Sequence, residues 1–319
     1  MKEKIREVLE EEEIISEEQN GFRINRRATE NIYIINEIIE DAKKNNKEIY
    51  CAFLDIEKAY DTVDRDILWE ILEKIGLTEH IRKIIKSMYR CTVATYNWNG
   101  IEIKGVKSNR GLRQGCTLSP LLFTLIMEEL VQRVKKVGVG VPIDQDKLCI
   151  LTFADDIVLM AETMEDMQKM LDEIGEFSSD IKLNFEVDKS KVMIINREMQ
   201  NGEKCELMGK ALGMVDEYKY LGLTIDKTGL MKEKNGIRKK AEKMYGIING
   251  KINCRANKYE VVRGLWKGLA VPTVMYGMEV IESGKKEEKG LEIVQNRAAR
   301  RGLGANKHVA TEALRGEMG

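Results

Sequence analysis

Three carboxylates stand where apolar stretches of chain end. Asp55 closes the run Tyr50-Cys51-Ala52-Phe53-Leu54, and Asp155 with Asp156 separates Cys149–Phe153 from Ile157–Met160. A carboxylate beside a buried strand is costly unless it is paired or bound to a cation. Three that converge repel one another, and a divalent cation is the natural compensation. Hard oxygen ligands point to Mg²⁺ or Mn²⁺. Two such ions about 3.5–4 Å apart form the device for in-line phosphoryl displacement that polymerases and nucleases share. The plainer reading is that an aspartate at a strand end is an ordinary turn former. It fits the doublet less well, because a tight hairpin favours Asn-Gly or Asp-Gly. Periodicity alone leaves both readings open.

The elements that must hold these residues are legible around them. Residues 2–12 read as a short charged helix, and Thr29 to about Lys44 as a second, with Ile32, Ile35, Ile38 and Ile39 at helical spacing. Ile49–Leu54 reads as a buried strand. Helices are expected over Asp66–Ile75, with Asp64 as N-cap, and over Glu79–Tyr89. Asn99-Gly100 between Thr92–Trp98 and Ile101–Val106 signals a two-residue hairpin. Ser119-Pro120 reads as an N-cap and first helical residue opening a helix to about Lys136. Leu148–Phe153 and Ile157–Met160 are expected as two strands joined by Ala154-Asp155-Asp156. Thr163 caps a helix to Phe177, with Asp166 three residues on. Strands follow near Lys191–Ile195 and Tyr218–Ile225, and from Met231 the chain reads as helical. The expected class is α+β: a sheet with helices on one face, then a helical region.

Composition removes several other classes. The chain has 319 residues, 43% of them apolar, enough for a sizeable core and for more than one domain. No stretch approaches the ~20 apolar residues of a membrane span, so no membrane partner is expected. The N-terminal residues lack the apolar segment of a secretory signal. Six scattered cysteines with no CxxC pair fit free thiols in a reducing compartment. Two histidines rule out chemistry built on several imidazoles.

The charge is less simple. Fifty-two basic residues nearly cancel 53 acidic ones, which by itself argues against a nucleic-acid partner. The balance hides an asymmetry. Residues 1–226 carry 32 basic and 43 acidic side chains, and residues 227–319 carry 20 and 10. The second part is therefore strongly cationic and suited to phosphate contacts.

Six ordered blocks resemble the reverse transcriptases. Phe53-Leu54-Asp55 with Lys58-Ala59-Tyr60-Asp61 is similar to their first catalytic motif. Gly111-Leu112-Arg113-Gln114-Gly115-Cys116-Thr117-Leu118-Ser119-Pro120 is similar to the second, and Phe153-Ala154-Asp155-Asp156 to the third. Asn184 with Lys189-Ser190 resembles the fourth. Tyr218-Lys219-Tyr220-Leu221-Gly222 resembles the fifth, the primer grip. Gln19-Asn20-Gly21-Phe22-Arg23 resembles the upstream finger segment. The blocks keep the family's order and spacing from about residue 17 to about residue 225. They look most like the non-long-terminal-repeat retrotransposons of the long interspersed element type.

The resemblance implies a right-hand polymerase fold, with partial fingers over 1–48, a palm with inserted finger elements over 49–226, and a helical thumb and connection over 227–319. It implies an RNA-directed DNA polymerase that extends a DNA primer on an RNA template with dNTPs and two Mg²⁺ ions, Mn²⁺ being an alternative. Asp55, Asp155 and Asp156 would be catalytic, and Asp55, Ile56, Asp155 and Asp156 would make up the metal set. Lys189 would protonate the leaving pyrophosphate. Tyr60 would stack under the incoming sugar and exclude a 2′-hydroxyl. Gln114 and Gly115 would pack on the nucleotide, and Arg113 and Arg23 would contact triphosphate or template. Tyr220, Leu221 and Gly222 would hold the primer backbone. The resemblance also implies an intracellular, nuclear protein.

Family members carry a Tyr-Arg-Pro-Ile-like strand ahead of the first helix. Met1 falls inside or just before that helix, so an N-terminally truncated domain is expected. The rival expectations are an inactive remnant that keeps the fold and binds nucleic acid, and a maturase of the group II intron type.

Overall fold

The computed structural model describes residues 2–90, 93–198, 202–251 and 257–318. The chain divides into two compact units, Met1–Leu221 and Gly222–Gly319.

In the first unit, α1 (Lys2–Glu11) precedes α2 (Ala28–Asn45), whose Ile32, Ile35, Ile39 and Ala42 recur at helical spacing and are buried. The strand β1 (Ile49–Leu54) is buried at every position. The short α3 (Ala59–Thr62) leads to α4 (Arg65–Lys74) and α5 (Glu79–Tyr89). Asp64 caps α4 by accepting from the Asp66 amide at 3.0 Å. The expected hairpin forms between β2 (Val93–Trp98) and β3 (Ile101–Lys107), with positive φ at both Asn99 and Gly100. Thr92 lies outside the described residues.

The helix α6 (Ser119–Lys136) is almost wholly apolar on its buried face. After β4 (Val141–Ile143) and β5 (Asp146–Leu148) comes the hairpin of β6 (Ile150–Phe153) and β7 (Asp156–Ala161). Then follow α7 (Met164–Ile181), β8 (Lys191–Ile195), β9 (Glu206–Leu207), β10 (Lys210–Ala211), β11 (Gly213–Met214) and β12 (Glu217–Tyr220). Thr163 Oγ1 accepts from the Asp166 amide at 3.1 Å, the cap expected for α7.

Five strands form the central sheet in the order β11-β8-β1-β7-β6. The strand β1 runs antiparallel to both neighbours, with Leu54 opposite Ile157 and Phe53 opposite Lys191. The last strand, β11, is parallel to β8. Helices cover both faces of the sheet, not one. Tyr50, Ala52 and Leu54 join the apolar cluster built on α6 and α7, whereas α2 lies against β6 and β8. The reason is visible in β1: with no polar residue in six, neither face can meet water.

Ser119 also departs from expectation. It is the first residue of α6 and caps nothing through its side chain. Its hydroxyl donates to the Arg113 carbonyl at 2.7 Å, within the preceding loop.

The second unit begins with β13 (Leu223–Asp226) and continues as α8 (Met231–Lys251), α9 (Lys258–Leu265), a π-helical turn at Trp266–Ala270, α10 (Val271–Met275), α11 (Lys285–Leu303) and α12 (Thr311–Met318). Its helices α8, α9 and α11 bury Ile237, Ala241, Ile248, Val262, Val294 and Ala298.

No helix among the described residues is long and apolar enough to cross a membrane. Cys51, Cys116, Cys149 and Cys205 are free thiols; Cys91 and Cys254 lie outside the described residues.

Candidate active site

The pairing register brings one end of β1 together with the starts of β7 and β8. Asp55 follows the last buried residue of β1, and Asp156 is the first residue of β7. Phe153 pairs with Asp156, so Ala154 and Asp155 make the two-residue turn between β6 and β7. Ala154 has φ +59°, a conformation unusual for a residue with a Cβ. The doublet is therefore split between a hairpin turn, which holds Asp155 and is made without the usual glycine, and the first position of β7, which holds Asp156.

Asp55 is fixed through its main chain. Its amide donates to Ser190 Oγ at 3.2 Å, and its carbonyl accepts from the Glu186 amide at 2.8 Å. Ile56 bridges to Phe185, and the Glu57 amide donates to the Asn184 carbonyl at 2.8 Å. The Asn184–Ser190 segment is thus a brace laid along Asp55–Glu57. The Ile56 side chain is in the core, which leaves only its main-chain oxygen as a donor for a cation.

The three carboxylates feel one another. Burial raises Asp156 to about 6, and the charges of Asp155 and Asp55 add to the rise. Asp55 is also raised by burial, with Lys189 pulling the other way and Glu186 adding to the rise. Lys189 Nζ stands 3.5 Å from Asp55 Oδ2 and 2.5 Å from Glu186 Oε2, on an exposed side chain. One lysine shared between two carboxylates leaves the cluster short of positive charge, an arrangement that suits a cation. Among the described residues no three such side chains close into a ready-made metal cage.

Tyr60 is half-buried beside this cluster. Burial and the charge of Asp155 push its hydroxyl up to about 12. Its ring stacks on Phe123 of α6, with centroids 5.1 Å apart and an 18° interplanar angle. Gln114 Nε2 donates to Asp61 Oδ1 at 3.1 Å, so the 108–118 loop reaches the residue next to Tyr60. Gly115 has φ +79° and open space around its α-carbon. Gly111 permits a closer approach: a Cβ there would meet the Asp61 carbonyl at 2.8 Å.

Arg65, which the sequence did not single out, holds this loop. Its buried guanidinium donates to the carbonyls of Gly111, Ser108 and Arg110 at 2.9, 2.7 and 2.9 Å. The Tyr89 ring lies between Arg65 and Arg113, 5.0 and 5.5 Å from their guanidinium carbons. Nothing in the local pattern marks Arg65 except its place at the start of α4.

Arg23 is not brought to the carboxylates. Its guanidinium is enclosed, pairs with Glu10 at 2.7 Å, and donates to the Ser16 and Gln19 carbonyls. The side chain closes a loop; it is not presented to a ligand.

The motif expected to hold the primer also reads differently in three dimensions. Tyr220 is fully buried, and its hydroxyl accepts from Asn31 Nδ2 at 3.2 Å. Its side chain is therefore unavailable to a primer, and the strand's main chain is what remains. Phe53 stacks on Tyr218 with centroids 4.3 Å apart and lies 5.8 Å from the Tyr220 ring. Burial and the charges of Asp156 and Asp55 raise Tyr218, which places this strand beside the cluster. Leu221 has φ +45°. Gly222 opens the second unit at φ +87°, and a Cβ there would meet Tyr276 Cε1 at 3.2 Å.

Residues 1–225 match the family described as reverse transcriptase (RNA-dependent DNA polymerase). Among curated proteins, the chain is 27% identical over 222 residues to the retrovirus-related Pol polyprotein from the type-2 retrotransposable element R2DM of Drosophila melanogaster, covering 66% of this chain and 21% of that protein. It is 27% identical to the corresponding R2 polyprotein of Nasonia vitripennis, over 70% of this chain and 23% of that protein. It is 21% identical to the RNA-directed DNA polymerase from the mobile element jockey of Drosophila melanogaster, over 94% of this chain and 33% of that protein. The chain thus spans about a fifth to a third of the length of these relatives. Among solved structures, telomerase from Candida tropicalis in complex with a fragment of telomeric RNA aligns over 99% of this chain and 56% of its own. The TM-score is 0.52 at 10% identity, a likeness of fold. With its family blocks in order on an α+β right-hand fold, the chain belongs to the reverse transcriptase family.

Proposed function

We propose that this chain is the polymerase domain of a non-long-terminal-repeat retrotransposon and extends a DNA primer on an RNA template. The observation that carries the reading is the gathering of Asp55, Asp155 and Asp156 at one end of the sheet, with Asp156 raised by burial first and then by its neighbours' charge. Such a cluster is poised to give up its repulsion to divalent cations.

In this reading Asp55, Asp155 and Asp156, with the Ile56 carbonyl, hold two Mg²⁺ ions. When bound, the ions supply Lewis acidity at the primer 3′-hydroxyl and neutralise the triphosphate. The chain's own residues do the rest. Tyr60, backed by Phe123, sets a floor under the incoming sugar that leaves no room for a 2′-hydroxyl. The Gln114–Gly115 loop, held by Arg65 and steadied by Gln114 on Asp61, covers the nucleotide, and Arg113 faces its phosphates. Lys189 has its proton firmly held, by the Glu186 contact first and Asp55 next, and can give it to the leaving pyrophosphate. Tyr220–Gly222 present main chain to the primer.

Residues 1–48 then serve as partial fingers, 49–226 as palm and 227–319 as a cationic thumb on the template–primer duplex. A polymerase that extends genomic DNA works in the nucleus.

The test is primer extension by the purified chain on an RNA template with Mg²⁺, and with the metal chelated. Extension that requires the metal is expected. No extension by the wild-type chain would overturn the reading and leave an inactive relative that binds nucleic acid.

A further inference from the structure

A set of polar side chains is buried behind the carboxylate-bearing turn. Gln19, Asn31 and Thr152 are 0% exposed, and Asn20, Thr124 and Tyr220 are 1% exposed. Buried polar groups are retained where hydrogen bonds satisfy them and where they specify one arrangement.

Asn31, on α2, is the hub. Its Nδ2 donates both to the Thr152 carbonyl of β6 and to the Tyr220 hydroxyl of β12, each at 3.2 Å. Its Oδ1 accepts from Asn20 Nδ2. The Thr152 carbonyl also accepts from the Asn20 amide at 3.0 Å, and the Thr152 amide donates to the Glu18 carbonyl at 2.9 Å. Thr152 Oγ1 meets Gln19 Oε1 at 3.3 Å, and Gln19 Nε2 donates to the Thr124 carbonyl of α6 at 2.9 Å. Asn20 Oδ1 is left without a partner.

Thr152 lies three residues before Asp155, on the strand that delivers it. Tyr220 lies on the strand that resembles the primer grip. A single amide therefore spans the element that carries the metal-binding turn and the element that faces the primer. The same two regions are linked a second time through apolar contact, because Phe53, two residues before Asp55, packs on Tyr218 and Tyr220.

We infer that Asn31 is a positioning residue that sets the grip strand in register with the Asp155 turn, so that the primer 3′ end arrives in line with the metal site. The inference rests on the polymerase reading of that site. Asn31 touches no reacting atom; it acts through Thr152 and Tyr220. A misplacement of about 1 Å at a reacting centre can cost about a hundredfold in rate, so a loss of this register is read in the chemical step and not in binding.

The experiment is single-turnover incorporation of one dNTP on a preformed primer–template complex, with three variants of the full chain. Asn31→Ala is expected to slow incorporation by about tenfold to a hundredfold, with the dNTP KM and the primer–template Kd within about twofold of wild type. Tyr220→Phe keeps the ring on Phe53 and removes only the hydroxyl, so it serves if Asn31→Ala folds poorly. Its expected loss is smaller and also confined to the rate. The double variant is expected to be no slower than Asn31→Ala alone, because both break one connection.

The inference is overturned if both single variants incorporate at the wild-type rate, if their losses multiply independently, or if the loss appears in KM or Kd with the rate unchanged. A wild-type chain that incorporates nothing counts against the polymerase reading instead. Hydrogen exchange of the Asp155–Ile157 amides then decides: faster exchange in both Asn31→Ala and Tyr220→Phe supports the connection, and unchanged exchange refutes it.

Discussion

Gly21 rests directly on the main chain of Ala154: a Cβ at Gly21 would meet the Ala154 amide nitrogen at 2.2 Å. The two residues are far apart in sequence, yet one backs the turn that carries Asp155. Gly21→Ala is expected to force that turn aside. Overpacking of this kind typically costs about 1–3 kcal/mol, and dNTP incorporation should fall further than stability does. Urea unfolding alongside single-turnover kinetics checks both, and a variant equal to wild type in both would show that the turn tolerates displacement.

Arg65 should matter for the nucleotide and not for the primer. Its fork holds three carbonyls of the 108–118 loop, a geometry that a lysine cannot reproduce. Arg65→Lys is expected to raise the dNTP KM by about tenfold, equivalent to about 1.4 kcal/mol, and to leave primer–template affinity within twofold. Steady-state kinetics and a filter-binding titration separate the two. An unchanged KM would mean that the loop holds itself.

The carboxylate cluster predicts a pH dependence in the metal-free protein. Asp156 is raised to about 6 by burial and by Asp155 and Asp55, so the fold favours its protonated form. Its contribution is fully present below the ordinary carboxylate pKa of about 3.9 and is lost as pH rises through about 6. Removing that loss with Asp156→Asn is expected to stabilise the metal-free protein at pH 7 by about 1–2 kcal/mol, allowing for screening of a partly exposed carboxylate, and to change little at pH 4. Mg²⁺ should shrink the difference by stabilising the wild type alone. Melting temperatures across pH 4–7, with and without Mg²⁺, test this. A pH-independent difference would mean that the charges do not share a site.

Residues 227–319 hold 20 basic and 10 acidic side chains. Binding to a primer–template duplex should therefore weaken steeply with salt. Lys239 and Lys243 are exposed on α8. Replacing both with glutamine is expected to reduce the slope of log K against log salt by up to about 2. An unaltered slope would move the phosphate contacts elsewhere.

Much of this molecule was legible before folding, and the exceptions share a cause. β1 announced itself by six apolar residues, the β2–β3 hairpin by Asn99-Gly100, and the α7 cap by Thr163 with Asp166. Each is a local signal with a local physical reason. The exceptions depend on residues distant in sequence. Asn31 is polar, yet it sits at helical spacing with Ile35, Ile39 and Ala42, and that placement on a buried face was the one available sign of its role. Arg65 carried no local sign, and Arg23 was expected at the triphosphate or template, but the guanidinium of each is enclosed by carbonyls or carboxylates contributed by other segments. Ser119 read as a cap because Pro120 follows it, whereas a loop carbonyl six residues back takes its hydroxyl. Helices on both faces of the sheet are a different case, because β1 carries a local sign of them: none of its six residues suits a face turned to water.

We propose Asp55, Asp155 and Asp156 as the metal site of a template-directed polymerase. Its most direct test is single-nucleotide incorporation on an RNA template with Mg²⁺, comparing the wild-type chain with Asp155→Asn at saturating substrates. Incorporation by the wild type is expected, with a loss of at least about a hundredfold in the variant and primer–template affinity retained. Equal rates in the two proteins would contradict it.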